Sequence, residues 1–286
     1  YYTAAVTVGK LLRYTMVHDF VAGDYMWTGI DYLGEANWPQ RSAGCGCLDT
    51  CGFEKDAFYF YRSVWNQKEK FAYLCPHWNL KLEKGTVLPV ICYTNCEDAE
   101  LFVNGRSFGM KSKGFPCYGM TERYGHFDRY RRPANTDDMF LSWDVPYEPG
   151  KIEVVGYHDG KEVCRYNVET TGEAAAIKLT VDKTSVDADG RSVVQAEVRI
   201  VDSEGRLVFD ACPELDFILE GDAEIIGIDN GDPACHEQWK ETKGRHAFNG
   251  MAYAVIRAGQ SKGELKLTVT SSDNTLTNAS VTIQAN

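Results

Sequence analysis

Apolar residues recur at helical spacing near the start of the chain and at alternate positions further along it. In residues 1–19 they stand three or four positions apart, at Ala5, Val8, Leu12 and Met16. This spacing predicts a helix with one buried face, and residues 54–65 repeat it. Between the helices, residues 25–27 predict a strand that is too short to be stable without neighbours on both edges. The pattern therefore indicates one αβα piece of a larger α/β body.

From about residue 70 the chain changes to short alternating runs separated by turn signals, which is typical of β-sandwiches. Five runs predict the strands of a first sandwich: 87–93, 99–103, 140–145, 151–158 and 162–170. Asn104-Gly105 and Asp159-Gly160 predict hairpin turns within it. A long insertion at residues 110–138 shows no clear periodicity, and the pattern leaves its role open.

A second series of alternating runs begins near residue 173. It predicts strands at residues 177–181, 193–201, 216–219, 224–228, 252–257 and 264–270. Asp189-Gly190 and Glu204-Gly205 mark turns between them. In strand number and spacing both series predict immunoglobulin-like sandwiches, although neither has the Cys, Trp and Cys arrangement of antibody domains.

Charge and hydropathy narrow the classes of partner. With 286 residues, 44% of them hydrophobic, the chain can form real cores. Its formal net charge of −11 argues against a nucleic-acid partner. The one basic cluster, Arg129, Arg131 and Arg132, is short and flanked by acids, which favours a solvated loop over a phosphate site. No apolar run approaches the roughly 18 to 20 residues that cross a bilayer, so no membrane partner is predicted.

The ten cysteines show no spacing typical of a disulfide framework, which favours free thiols and a reducing compartment. We therefore predict a cytoplasmic location, with a periplasmic or secreted one as the alternative. Cys45, Cys47 and Cys51 form a C-x-C-x3-C cluster that suggests zinc. Structural zinc sites usually have two separated pairs, and only half of that pattern is present. Neither a metal nor another cofactor is predicted.

Two segments near the start carry a family resemblance: VAGDYMWTGIDYLGEANWPQRS at residues 21–42 and GFEKDAFYFYRSVW at residues 52–65. They resemble the end of the catalytic TIM barrel in glycoside hydrolase family 2, the β-galactosidase-like enzymes. Further on, HWN at residues 77–79, the run at 93–105 and WDVPYEPG at 143–150 resemble the accessory domain that follows that barrel. The tetrapeptide Asp229-Asn230-Gly231-Asp232 resembles a segment of the family's terminal domain, and a turn explains it better than a calcium site does.

The resemblance implies a mainly β chain, in which two immunoglobulin-like β-sandwiches follow the terminal α/β segment of an incomplete TIM barrel. The predicted domains are residues 1–67 for the barrel segment, 68–172 for the first sandwich and 173–286 for the second. The implied chemistry is retaining hydrolysis of a terminal β-linked sugar, with β-galactosidase as the expected activity. The expected partners are then the carbohydrate substrate and the remainder of the catalytic barrel. A second copy of the chain, in a homo-oligomer, is a further possible partner.

In a parallel barrel the active site lies at the carboxyl ends of the strands, so Trp27 is placed to face substrate. An indole face stacks on a sugar ring, and the resemblance implies a platform Trp here rather than a core Trp. Asp31, Glu35 and Trp38 follow in the same loop as predicted substrate-binding or loop-ordering residues, and Arg41 as a loop anchor.

A catalytic pair made of Asp31 and Glu35 is rejected, because one irregular loop gives them no opposing element across a sugar. The resemblance places the acid and the nucleophile, two Glu residues, on barrel strands before residue 1. No catalytic residue is therefore predicted in the chain, and the chain alone is expected to be inactive.

Two other classes of protein remain open as alternatives to a glycosidase fragment. The first is a non-catalytic carbohydrate-binding module, which needs a row of exposed aromatic side chains such as Trp143, Tyr147 and Tyr157. The second is a structural array of immunoglobulin-like domains, which leaves residues 1–65 unexplained. We predict that the Trp78 side chain packs against the barrel, and the alternative is that it belongs to a sugar-binding surface.

Overall fold

A computed structural model of the chain describes residues 2–18, 20–113, 139–240 and 244–286. Most of the predicted insertion, the basic cluster at Arg129, Arg131 and Arg132, and Cys117 lie outside the described residues. The helices are α1 (Tyr2–Val17) and α2 (Asp56–Trp65). The strands are β1 (Tyr32–Leu33), β2 (Ser42–Ala43), β3 (Ala72–Cys75), β4 (Val87–Thr94), β5 (Asp98–Val103), β6 (Arg106–Ser112), β7 (Leu141–Pro146), β8 (Lys151–His158), β9 (Lys161–Glu169), β10 (Ala176–Val181), β11 (Ser185–Val186), β12 (Val193–Val201), β13 (Glu214–Glu220), β14 (Ala223–Asp229), β15 (Gly244–His246), β16 (Met251–Ala258), β17 (Gly263–Ser271) and β18 (Ala279–Ala285). The described chain is therefore mainly β, as predicted.

The chain divides into two compact units. Unit 1 comprises Tyr1–Gly29 and Glu54–Thr170, and unit 2 comprises Ile30–Phe53 and Thr171–Asn286. Residues 30–53 thus belong to the same unit as the C-terminal sandwich, although they are far from it in sequence. The three domain ranges derived from the sequence stay a prediction.

Unit 1 is built on two antiparallel sheets, one ordered β3-β4-β7 and the other β6-β5-β8-β9. Their facing side chains form one core, to which β4 contributes Val90 and Cys92. The intervening residues of β4, Ile91 and Tyr93, point to the other face and enter a second cluster. Because successive side chains of a strand alternate between faces, a strand covered on both sides is apolar at every position. This explains the unbroken apolar run in β4.

The helices of unit 1 cover that second face. Leu12 of α1 and Phe60 of α2 pack in one cluster with Ile91, Met139 and Phe140. Both helices begin within two residues of the predicted positions, which confirms the helical spacing as their signal. Residues 25–27, predicted as a strand, form no strand in the structure. A three-residue segment does not persist without strands on both edges, so the prediction was wrong for the chain as described.

The large aromatic side chains of the first sandwich face inward. Trp78 is fully buried, and Trp143 and Tyr147 are also buried in the same core. The Trp78 indole N–H donates to the carbonyl of Glu148 at 2.9 Å. Trp78 therefore packs within the sandwich and supplies no sugar-binding surface. The exposed row needed for a carbohydrate-binding module is not formed, because two of its three members are core residues.

Unit 2 is a second two-layer sandwich. One sheet has the order β10-β12-β16-β14 and the other β11-β18-β17-β13-β15. Alternate residues of β12, from Val194 to Ile200, pack in its core with those of β16 and β17. Strands β11 and β15 are two and three residues long, too short to give an alternating pattern, and the sequence did not predict them. It also did not predict β18 or, in unit 1, β3. The exposed strand β6 of unit 1 was missed for lack of buried positions.

Asp202, which directly follows β12, holds the first residues of the C-terminal sandwich by hydrogen bonds. Its carboxylate accepts hydrogen bonds from the N–H groups of Gly172 and Glu204 and an ion pair from Arg206 at 2.7 Å. Burial by itself would raise the pKa of Asp202. The bonds from Arg206 and the backbone N–H groups outweigh it and hold the pKa well below its usual range.

Replacing Asp202 with asparagine is expected to lower the urea midpoint of unfolding at pH 7. Because the folded-state pKa is depressed, the ionised carboxylate stabilises the fold above the unfolded-state pKa of about 4 and loses this effect as the pH falls below it. The deficit of the Asp202→Asn variant should therefore shrink between about pH 5 and pH 2. Glu264→Gln, at an exposed position of β17, is the control. A deficit that stays constant with pH would contradict the assigned role.

Among the described residues, neither helix is long and apolar enough to cross a membrane.

Candidate functional site

The loop of residues 30–53 folds back on itself within unit 2. Strands β1 and β2 pair as a short hairpin, and the N–H of Asp31 donates to the carbonyl of Leu48 at 2.9 Å. The carboxylate of Asp31 is buried and accepts the N–H of Gly46 at 2.6 Å. A side chain at Gly46 would overlap the backbone of Asp31, so only glycine allows this crossing. Asp31 therefore orders the loop from inside.

Glu35 lies at the exposed tip of the hairpin. Its backbone has a φ of 49°, in the left-handed region that a turn of this kind requires. The Tyr32 hydroxyl donates to its carboxylate. Glu35 is thus exposed to solvent and held by a neighbour on the same loop.

Trp38 is the most exposed large side chain of the loop, with 84% of its surface accessible. One face of its ring lies against His236, with ring centroids 5.0 Å apart. His236 also holds the next residue, because its Nε2 lies 2.7 Å from the carbonyl oxygen of Pro39 and donates to it. An exposed indole would ordinarily rotate freely, and these contacts restrict it.

Arg41 anchors the loop to strand β14. Its guanidinium forms an ion pair with Asp229 at 2.9 Å, across 188 positions of sequence. The backbone N–H of Arg41 donates to the carbonyl of Pro233 at 2.8 Å. The predicted role of Arg41 as a loop anchor rested on local pattern alone, whereas its partners lie in the C-terminal sandwich.

The carboxylate of Asp229 is shared between three side chains. Besides Arg41, the Thr50 hydroxyl donates to it at 3.3 Å, and the fully buried guanidinium of Arg245 approaches it at 3.4 Å. A second nitrogen of Arg245 donates to the carbonyl of Glu237 at 3.1 Å. Both oxygens of Asp229 are therefore occupied by protein donors. This arrangement agrees with the turn predicted at residues 229–232.

Gly231 completes this turn and approaches the loop closely. Its backbone has a φ of +75°, and a side chain there would overlap the carboxylate of Asp49. Asp49 itself accepts the N–H groups of Cys51 and Phe53 at 2.8 and 2.9 Å. The loop and the turn thus meet at a glycine because no larger residue fits.

The cysteine cluster of the loop does not form a metal site. Within the described part of the chain, no group of three or more His, Cys, Asp or Glu side chains is arranged to hold a metal ion. Burial raises the pKa of the Cys51 thiol, and the charges of Asp229 and Asp49 raise it further.

Trp27 belongs to unit 1, whereas Asp31, Glu35 and Trp38 share one loop of unit 2. The Trp27 side chain is 71% exposed, and the peptide bond that follows it is cis. Sequence analysis missed His236, Glu237 and Arg245 as partners of the loop. The only available signal was the tetrapeptide at residues 229–232, which the family resemblance had already marked.

Comparisons with known proteins agree with this architecture. A model described as glycoside hydrolase family 2 C-terminal domain 5 matches residues 177–282, and a domain of unknown function matches residues 85–164. The chain is 36% identical over 264 residues to Beta-galactosidase BoGH2A of Bacteroides ovatus, covering 91% of this chain and 28% of that protein. It is 30% identical over 255 residues to a putative beta-glucuronidase of Formosa agariphila, covering 87% of this chain and 22% of that protein.

A crystal structure of a beta-glycosidase from Bacteroides vulgatus superposes with a TM-score of 0.82 at 30% identity, over 97% of this chain and 32% of that one. A family 2 member from Bacteroides cellulosilyticus gives the same TM-score at 27% identity, over 99% of this chain and 38% of that one. The chain thus spans between a fifth and two fifths of the length of these proteins. The chain therefore belongs to glycoside hydrolase family 2 and corresponds to the C-terminal part of its members.

Proposed function

We propose that the chain is the C-terminal portion of a retaining β-glycosidase that removes terminal β-linked galactose. The observation that carries this proposal is the 36% identity to a β-galactosidase over 91% of the chain. A β-glucuronidase is the alternative, because the relative from Formosa agariphila has that name. The two sugars differ at C5, which carries a hydroxymethyl in galactosides and a carboxylate in glucuronides, and in the C4 hydroxyl, which is axial in galactosides and equatorial in glucuronides.

In the proposed reaction the nucleophile and the acid are two Glu residues on barrel strands before residue 1. The nucleophile forms a bond to the anomeric carbon while the acid protonates the departing oxygen, and water then hydrolyses the glycosyl-enzyme. The finer fold assignment belongs to this proposal: residues 1–67 end the TIM barrel, and the two sandwiches are immunoglobulin-like. The chain would position the sugar and perform no bond-making step.

The exposed aromatic side chains support a positioning role. Trp27 and Trp38 present 71% and 84% of their surfaces. An indole face complements the C–H face of a sugar. The contacts of Trp38 with His236 reduce the rotamer entropy that binding would otherwise cost. We assign Trp27 and Trp38 to sugar contact, Asp31 to loop order, and Glu35 to the rim of the loop.

Replacing Trp27 with alanine in the polypeptide that includes the barrel is expected to lower kcat/KM for p-nitrophenyl β-galactoside. A stacking platform binds the sugar in the transition state, and its loss should lower kcat/KM by roughly 10- to 100-fold, equivalent to about 1.4 to 2.7 kcal/mol. The nucleophile is unaffected, so burst kinetics should still show a glycosyl-enzyme.

Trp65→Ala is the matched control, because this exposed indole on α2 lies outside the proposed site. An unchanged kcat/KM in Trp27→Ala would remove Trp27 from the site. Wild-type protein that hydrolyses the β-glucuronide at least about tenfold faster than the β-galactoside would replace the proposed substrate by the alternative. Inactivity on both would leave the glycosidase proposal without support.

A further inference from the structure

Two cysteine thiols meet inside unit 1. Cys96 lies in the turn between β4 and β5, and Cys164 lies on β9. Their sulfur atoms are 3.5 Å apart, although 68 positions of sequence separate them. Cys96 is buried, whereas Cys164 is half-buried and gives the pair access to solvent. Two sulfurs in van der Waals contact need only a small approach to form a bond.

A glycine makes room for the two sulfurs. Gly156 of β8 is paired with Cys164 on one side and with Ala99 on the other. A side-chain carbon at this position would lie 2.6 Å from the sulfur of Cys164 and 2.7 Å from that of Cys96. The two thiols therefore occupy the space that a side chain at position 156 would fill, and this space brings them together.

The surroundings of Cys96 favour its thiolate. The hydrogen bond from Cys164 contributes most, and bonding to Thr94 and the charges of Lys70 and Lys113 act in the same direction, so the pKa of Cys96 falls to about 7 despite burial. Lys113 is itself buried and donates to the carbonyl of Thr94 at 2.7 Å. The pKa of Cys164 is raised, chiefly by its hydrogen bond to Cys96. Cys96 is thus the nucleophile and Cys164 the thiol that resolves the product.

We propose that Cys96 and Cys164 form a redox pair that a peroxide converts reversibly to a disulfide. The Cys96 thiolate attacks the O–O bond, so an S–O bond forms and hydroxide leaves. The Cys164 sulfur then displaces the second oxygen as water, with its own proton, and the S–S bond forms. In total two thiols lose two electrons and two protons, and one peroxide becomes two waters. Peroxide is the oxidant class that suits so buried a thiolate, because it is small.

The test is a map of cysteine linkages after treatment of the folded protein with hydrogen peroxide. Remaining thiols are blocked with N-ethylmaleimide, and the protein is cut with trypsin. Cys96 then lies in the peptide of residues 85–106 and Cys164 in the peptide of residues 162–165. We expect mass spectrometry to find these two peptides joined, and dithiothreitol to release them.

Four variants separate the proposed pair from its neighbours. Cys96→Ala and Cys164→Ala should each lower the joined species by more than about tenfold. Cys92→Ala should retain it, although Cys92 shares the tryptic peptide with Cys96. Gly156→Ala should slow formation by placing a methyl group between the sulfurs.

Exposed Cys212 reports whether the oxidant has acted. If Cys212 is oxidised and wild-type protein shows no joined peptides, the proposal is wrong. Joined peptides that persist in Cys96→Ala and disappear in Cys92→Ala would also overturn it, because the bond would then involve Cys92.

Discussion

Replacing Trp78 with alanine is expected to lower the free energy of unfolding of unit 1 by about 4 kcal/mol. Its ring is fully buried and lies 5.2 Å from that of Tyr147, at the centre of the first sandwich. Truncation removes apolar contacts and leaves a cavity that rigid strands on two sheets can fill only in part. It also leaves the carbonyl of Glu148 without its 2.9 Å donor, and the lost hydrogen bond adds to the deficit.

Urea unfolding followed by far-UV circular dichroism measures this loss. Trp78→Phe keeps most of the volume and loses only the N–H, so it should cost about 1 to 2 kcal/mol. Trp65→Ala removes an indole that is 60% exposed and should cost less than about 1 kcal/mol. A Trp78→Ala deficit no larger than that of Trp65→Ala would contradict the buried position of Trp78.

The Asp229→Ala variant is expected to destabilise unit 2 by about 3 kcal/mol. Removal of the carboxylate leaves the fully buried guanidinium of Arg245 without its nearest anion, and Arg41 without the ion pair that anchors the loop. Glu237, at 4.0 Å, is then the nearest anion to Arg245. Weakening the pairing of a buried charge costs more than the loss of an ordinary surface ion pair. The loop of residues 30–53 should then become more susceptible to proteolysis than the sandwich that carries it.

Glu224→Ala is the matched control for Asp229→Ala, because Glu224 forms an ion pair at 2.6 Å with Arg257 on the surface of the same sheet. Exposed pairs of this kind contribute less than about 1 kcal/mol. Limited proteolysis and urea unfolding of both variants distinguish the two cases. Equal stability of Asp229→Ala and Glu224→Ala, with equal cleavage in residues 30–53, would show that Asp229 does not anchor the loop.

Local patterns predicted most of the elements. The helical spacing of residues 54–65 predicted α2, and the alternation of residues 193–201 predicted β12 with the same bounds as observed. Several exposed or very short strands were missed, and so were β3 and β18, although both have buried positions. Strand β6 is exposed along nearly its whole length, and its two apolar residues, Phe108 and Met110, are too few to give a clear period. The two-residue strand β11 is too short for any period to be seen.

For the candidate site, the sequence predicted which residues belong to the loop but not what surrounds each of them. The motif at residues 21–42 marked Trp27, Asp31, Glu35 and Trp38 as a group, but it did not distinguish the buried Asp31 from the exposed Trp38. That difference arises because the chain crosses itself at Gly46, a contact with no local sequence signal. The partners of the loop were likewise missed, since Arg41 and Asp229 are 188 positions apart.

The sequence by itself determined the family, the order of the elements and the faces they bury, because periodicity and short motifs are properties of neighbouring residues. Only the tertiary structure decided which distant groups meet. It placed the loop of residues 30–53 with the C-terminal sandwich, buried Trp78 in a core and brought the sulfurs of Cys96 and Cys164 within 3.5 Å. The physical reason is that hydrophobic burial is non-directional: it specifies that a face is covered, and the pairing of strands then selects what covers it.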